Sequence, residues 1–301
     1  MKKSGLWLAC LFAGLGSAGA QVTVEVLQDQ DQFLQGEALL AKVRVTNRSG
    51  QILHLGDTED WVSFSVESRE GAPVTKLGEV PVAGAFTLDS SKMGTKHVDL
   101  TPYFSAMPPG RYSIIATVRI KEWDRQITSA PRHFDVIEGT HLWEQEFGVP
   151  NSAGATNSSP EVRKYILQQA NYLKTHLQLY LRVTDSPGSK VFRVCPIGPM
   201  VSFSRPDPQM DRASNLHVLF QNGPHSFSYT VFDPDGELLT RQTYALSSSR
   251  PHLRVDNDGK ISVAGGVRRV TANDFPAPPP TESKDTAPAT AHPEDTKPAK
   301  S

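Results

Sequence analysis

The run from Met107 to Ile120 constrains this chain more than any other stretch. Pro108-Pro109-Gly110 is a turn, because proline fixes φ and glycine tolerates positive φ. Beyond it Tyr112, Ile114, Ala116, Val118 and Ile120 alternate with Ser113, Ile115, Thr117 and Arg119, so one face is wholly apolar. Successive strand side chains point to opposite faces, and five apolar groups therefore meet one core. Burying each large one is worth about 1.5–3 kcal/mol, so such a strand demands a sheet packed against another layer.

Shorter strands surround it. Val22–Val26, Leu39–Val45 and Val62–Val66 alternate, Val98 and Leu100 precede the proline turn, and Ile127 to Ile137 supplies the last, with Pro131 placing it at an edge. About seven or eight strands between 21 and 138, with turn signals every 8–15 residues, suit a β-sandwich. A turn followed by a strand that opens on tyrosine is characteristic of immunoglobulin-like sandwiches. Residues 21–138 resemble the immunoglobulin-like accessory domains of secreted bacterial proteins.

The ends of the chain are of a different kind. Met1-Lys2-Lys3-Ser4, an apolar run from Gly5 to Gly16 and the Ala18-Gly19-Ala20 ending describe a secretory signal over residues 1–20. This predicts an exported protein, periplasmic or extracellular. The run is too short to span a bilayer, and no later segment reaches the ~20 apolar residues a span requires. Cleavage removes Cys10 and leaves Cys195 without a disulfide partner, so both domains must hold by core burial. Cys195 sits in a strand-like run, Val191 to Pro196, and reads as a small buried hydrophobe rather than a nucleophile. Residues 276–301 are rich in Pro, Ala, Thr, Lys and acidic residues, which predicts a disordered tail. Net charge is −1 with no basic stripe, which argues against a nucleic-acid partner.

Between the sandwich and the tail, residues 139–160 have linker composition, small and polar from Gly148 onward. Ser159-Pro160-Glu161 looks like a helix start, and Val162, Tyr165, Ile166, Ala170 and Leu173 keep helical spacing. One short helix over 160–173 is therefore predicted, with a strand as the alternative. Residues 161–275 then repeat. Leu179–Val183, a Ser186-Pro-Gly188 turn and Lys190–Cys195 match Leu216–Phe220, an Asn222-Gly-Pro224 turn and Phe227–Phe232, 37 residues on. A third start at Leu253 follows by the same interval. Such antiparallel units look like β-propeller blades, although a closed propeller needs at least about four. An open stack of hairpins fits equally well. The segments Arg163–Gln169, Gly198–Pro206, Ser214–Gln221 and Arg250–Arg269 also resemble a family of uncharacterised exported bacterial proteins, which brings no activity and no functional residue with it.

The motifs that suggest chemistry resolve into simpler ones. Asp233-Pro-Asp-Gly236 and Asp256-Asn-Asp-Gly259 resemble calcium loops, but the places an EF-type loop reserves for its first ligand and its final Glu hold Val231 and Gln242 in one, and Arg254 and Gly265 in the other. Asp-Gly at the tip of alternating strands signals a hairpin. No Gly-x-Ser-x-Gly elbow occurs in the mature chain and no His-Glu-x-x-His motif occurs anywhere. His54, His97, His133, His141, His176, His217, His225, His252 and His292 are scattered, with none at ligand spacing. Asp57-Thr-Glu-Asp60 reads as a solvated acidic loop beside Trp61, and Trp61, Trp123 and Trp143 are candidates either for a core or for stacking on a sugar.

The sequence thus predicts a mainly β chain with no assigned catalytic, cofactor-binding or metal residue. The expected function is non-enzymatic binding or scaffolding at the bacterial cell envelope or exterior, with an unidentified protein or glycan as partner. A glycan-directed hydrolase with a site built from dispersed residues of the second domain is the alternative. Open strand edges at the ends of the repeats make self-association a further expectation.

Overall fold

The computed structural model describes residues 22–70, 73–149, 161–172 and 176–277. The predicted signal (1–20), most of the expected tail and residues 150–160 of the expected linker lie outside the described residues. The chain is mainly β. Its sheets are separate and mostly antiparallel, none closes into a barrel, and the described helical elements are two 3-10 turns, Thr101–Tyr103 and Lys121–Trp123. No helix of the described residues is long and apolar enough to cross a membrane.

The first half contains β1 (Val22–Leu27), β2 (Gln32–Leu34), β3 (Leu40–Asn47), β4 (Leu53–Leu55) and β5 (Val62–Ser68). It continues with β6 (Phe86–Leu88), β7 (Met93–Asp99), β8 (Gly110–Ile120), β9 (Arg125–Thr128) and β10 (Arg132–Ile137). One sheet runs β1-β3-β7 and the other β2-β10-β8-β5, with β9 on β8 and a small β4-β6 pair beside them. β2 joins β10 in parallel, whereas the other pairings are antiparallel. The five apolar residues predicted to share one face of β8 are all buried and pack with Val24, Val43 and Val45 of the opposite sheet in one core. Tyr112 adds a polar tie, its hydroxyl donating to the Pro108 carbonyl at 2.6 Å while its ring stacks on Phe134.

The second half departs from the sequence reading at its start. Residues 140–148, expected as linker, form β11 (Thr140–Gly148), and β10 reaches it through Glu138 and Gly139 alone. The helix predicted over 160–173 is instead a strand, β12 (Val162–Tyr172). The physical reason lies in Arg163. Arg163, Tyr165 and Leu167 are buried in strict alternation, and a charged side chain on the inner face broke the apolar pattern that would have marked a strand. Its guanidinium is satisfied there by Glu161, by the Pro234 carbonyl at 3.0 Å and by Asp235 at 2.5 Å, and it stacks over Phe192.

β11, β12, β13 (His176–Asp185) and β14 (Val191–Met200) form an antiparallel meander. A second meander follows, β15 (Asp207–Met210), β16 (Leu216–Gly223), β17 (Ser226–Phe232) and β18 (Leu238–Ala245). The 37-residue repeat pairs the β13–β14 hairpin with the β16–β17 hairpin, so like sequences occupy different places in their sheets. The two meanders pack face to face, with Tyr165, Leu167, Leu181 and Ile197 meeting Val218, Phe220 and Phe232. The third repeat start is a hairpin of β19 (His252–Val255) and β20 (Ile261–Ala264), before β21 (Val267–Arg269) closes on β18. Leu253 and Ile261 of that hairpin cover the outer face of the second meander over Leu219, Phe227 and Tyr229.

Candidate functional site

The two halves join through a small apolar cluster. Leu34 and Ile137 of the first half meet Ala170, Tyr180 and Val194 of the second. Close approach at the joint requires glycine twice. A Cβ on Gly139 would stand 3.0 Å from Leu34 Cδ1 and 3.1 Å from Gln168 Cβ. Gly36 has φ of +84°, with Val194 and Val191 beside it. Arg182, in the middle of β13, donates to the Gln35 carbonyl and to Gln168 Oε1 at 3.1 Å. Burial holds its pKa below the ordinary arginine value. The stretch from Leu177 to Val183 lies in an interior strand, with β12 on one side and β14 on the other.

Beside this joint lies a cleft of about 720 Å³ with walls from both halves. Its floor is the end of the first sandwich core, where Phe33, Leu39, Phe104, Phe134 and Val136 are buried. Ala38, Leu40 and Ala106 stand exposed along the rim. The opposite wall is the consecutive run Val191 to Pro196 of β14. Consecutive strand residues point to alternate faces, so a run that lines a cleft without gaps presents the edge of its sheet. β14 is such an edge, paired among the described residues with β13 alone.

Four charged side chains line the cleft, and among the described residues two of them, Asp29 and Arg193, are ion-paired. Asp29 pairs with Lys42 at 2.5 Å, Arg193 pairs with Glu237, and Asp99 accepts from the backbone and hydroxyl of Thr101 at 2.9 and 2.6 Å. Among the described residues Glu37 accepts only neutral donors, the Leu34 amide and Gln30 Nε2, both at 2.8 Å. Burial raises its pKa against the lowering effect of those two bonds. Cys195, half-buried in the β14 wall, is a free thiol. Burial also raises its pKa, with nearby Arg193 acting in the opposite direction. A thiol held protonated is a poor nucleophile.

The other residues singled out in the sequence fall elsewhere. In both Asp-Gly turns the first aspartate accepts backbone amides and the glycine has positive φ, so each is a hairpin tip. Asp235 does more than turn the chain, since it anchors Arg163. Trp61 is buried with its indole donating to the Val82 carbonyl at 2.9 Å, and Trp123 and Trp143 pack against the first and second cores. The acidic loop at 57–60 is exposed. Among the described residues no group of His, Cys, Asp and Glu is arranged to hold a metal ion.

Sequence spacing missed one constellation. His217 Nδ1 lies 2.7 Å from the Tyr229 hydroxyl and its Nε2 lies 3.2 Å from Asp211 Oδ2. With the proton on Nε2, the imidazole donates to Asp211 and accepts from Tyr229, so all three groups are satisfied. Burial pushes the Tyr229 phenol up to about 12. The partners lie 6 and 12 residues from His217, an interval set by the β16–β17 pairing and invisible as a motif. None of the three lines the cleft.

No protein-family model matches the chain, and no curated protein matches it in sequence. Among solved structures it is similar to the crystal structure of Spo0M, a sporulation control protein from Bacillus subtilis, at 9% identity over 83% of this chain and 90% of that one. The TM-score of that likeness is 0.27, too low to inform the fold or the function.

Proposed function

We propose that this is an exported, non-enzymatic binding or scaffolding protein of the bacterial cell envelope or exterior, and that its ligand lies in the cleft between the two halves. The observation that carries the reading is that one trough has an apolar floor and two walls, each from a different unit held by a packed joint. Ligand sites favour such junctions, with apolar linings and a few placed polar groups. Export rests on the Lys2-Lys3 charge, the apolar run and the Ala18-Gly19-Ala20 ending. An immunoglobulin-like assignment of residues 21–138 is supported by the β1-β3-β7 and β2-β10-β8-β5 sheets and by the Tyr112 tie to Pro108. Kinship with the uncharacterised exported family, and the comparison of each meander with a propeller blade, belong to the same reading.

Nile red, an uncharged apolar dye, is the probe for the cleft. Its fluorescence should rise on the native protein and fall back in an Ala106→Trp variant, where an exposed rim alanine is replaced by a ring that fills the space. Equal dye binding by wild type and the filled variant, with both folded, would overturn the assignment.

A further inference from the structure

Resting on that reading of the cleft, we infer that its occupant is an extended segment of polypeptide bearing a lysine or arginine among apolar residues, with the cation seated on Glu37. The shape argues for a chain. The cleft is an open trough with walls from both halves, and a small molecule in it would leave much of its own surface in water. A segment that enters and leaves loses nothing by that opening.

Charge selects the side chain. Asp29, Glu37 and Asp99 face the cleft against Arg193; Asp29 is paired with Lys42 and Asp99 is exposed, so Glu37 is the half-buried carboxylate there with no cation within ion-pair distance among the described residues. A carboxylate has about four acceptor positions, and two of those on Glu37 are used. A half-buried carboxylate held by neutral donors alone gains from a charge-assisted bond more than an exposed one does. The apolar floor of Phe33, Phe104 and Phe134 takes the neighbouring side chains.

Recognition runs through side chains rather than through strand addition. Added strands need amide donors from the edge they join, and β14 carries Pro196 and Pro199, which have none. Gln30, Asp99 and Ser105 line the cleft and supply acceptors for the segment's own amides. A hydrocarbon chain with an amine head would need none of these.

The test uses three blocked nonapeptides of valine, leucine and serine with a single central lysine, norleucine or glutamate, and dodecylamine as the non-peptide amine. Displacement of Nile red from the full-length protein is the readout. The lysine peptide should displace dye about tenfold better than the norleucine peptide, and the glutamate peptide worst. In Glu37→Gln the lysine preference should vanish while the norleucine peptide binds as before, and on wild type the preference should shrink with salt. Equal displacement by the lysine and norleucine peptides, a preference that survives Glu37→Gln, or dodecylamine matching the lysine peptide would each overturn the inference and leave the cleft reading standing. Dye binding unchanged by Ala106→Trp would overturn both.

Discussion

The Arg163 guanidinium meets Asp235 Oδ1 at 2.5 Å across 72 residues of sequence, tying β12 to the tip of the β17–β18 hairpin. The two partners are unequal. Arg163 is nearly buried, stacks over Phe192 and also bonds Glu161 and the Pro234 carbonyl, whereas the Asp235 side chain is mostly in solvent. Arg163→Ala should therefore cost about 2–4 kcal/mol, by leaving a void and an unpaired carbonyl, while Asp235→Ala should cost about 1 kcal/mol or less. Urea unfolding of the two variants checks this, and equal costs would contradict it.

Tyr112→Phe keeps the ring that stacks on Phe134 and removes only the bond to the Pro108 carbonyl. The expected loss is about 1 kcal/mol, seen as a lower urea midpoint with an unchanged slope. A variant as stable as wild type would show that the tie adds nothing to the turn.

Gly139→Val tests the joint between the halves. The new side chain collides with Leu34 and Gln168, and a two-residue connection offers little slack. Limited proteolysis should then cut near 138–139 at a rate the native protein resists. Resistance equal to wild type would mean that the joint is not packed as described.

Glu37 carries a pH signature of definite sign. Its folded pKa is raised by burial, so the folded state binds its proton more readily than the unfolded chain. The charge therefore opposes folding above the folded pKa, and that penalty fades as pH falls through the folded pKa to the ordinary carboxylate value. Glu37→Gln should be more stable than wild type at neutral pH, and the gap should close in the window just above the ordinary carboxylate range. A gap that widens on acidification would contradict the sign.

Strands whose inward residues are all apolar were legible in the sequence, β8 above all, because alternation and burial coincide from Tyr112 to Ile120. β12 was hidden by Arg163 on its inner face, and β11 by having Phe147 as its single buried residue. The hairpin tips at Gly236 and Gly259 were legible because positive φ and an aspartate cap leave a local mark. The cleft left no such mark. Its lining comes from 29–40, 99–107, 134–136 and 191–196, brought together by sheet packing and the joint.

Cys195 supplies the most direct measurement, because it stands in the cleft wall and is the single cysteine of the described residues. The rate of its alkylation by N-ethylmaleimide in native buffer reports the occupancy of the site. Saturating lysine peptide should slow alkylation several-fold in wild type, and dodecylamine should do so far less. Alkylation that proceeds at the same rate with and without peptide, under conditions where the peptide is bound, would place the binding surface elsewhere and contradict the account.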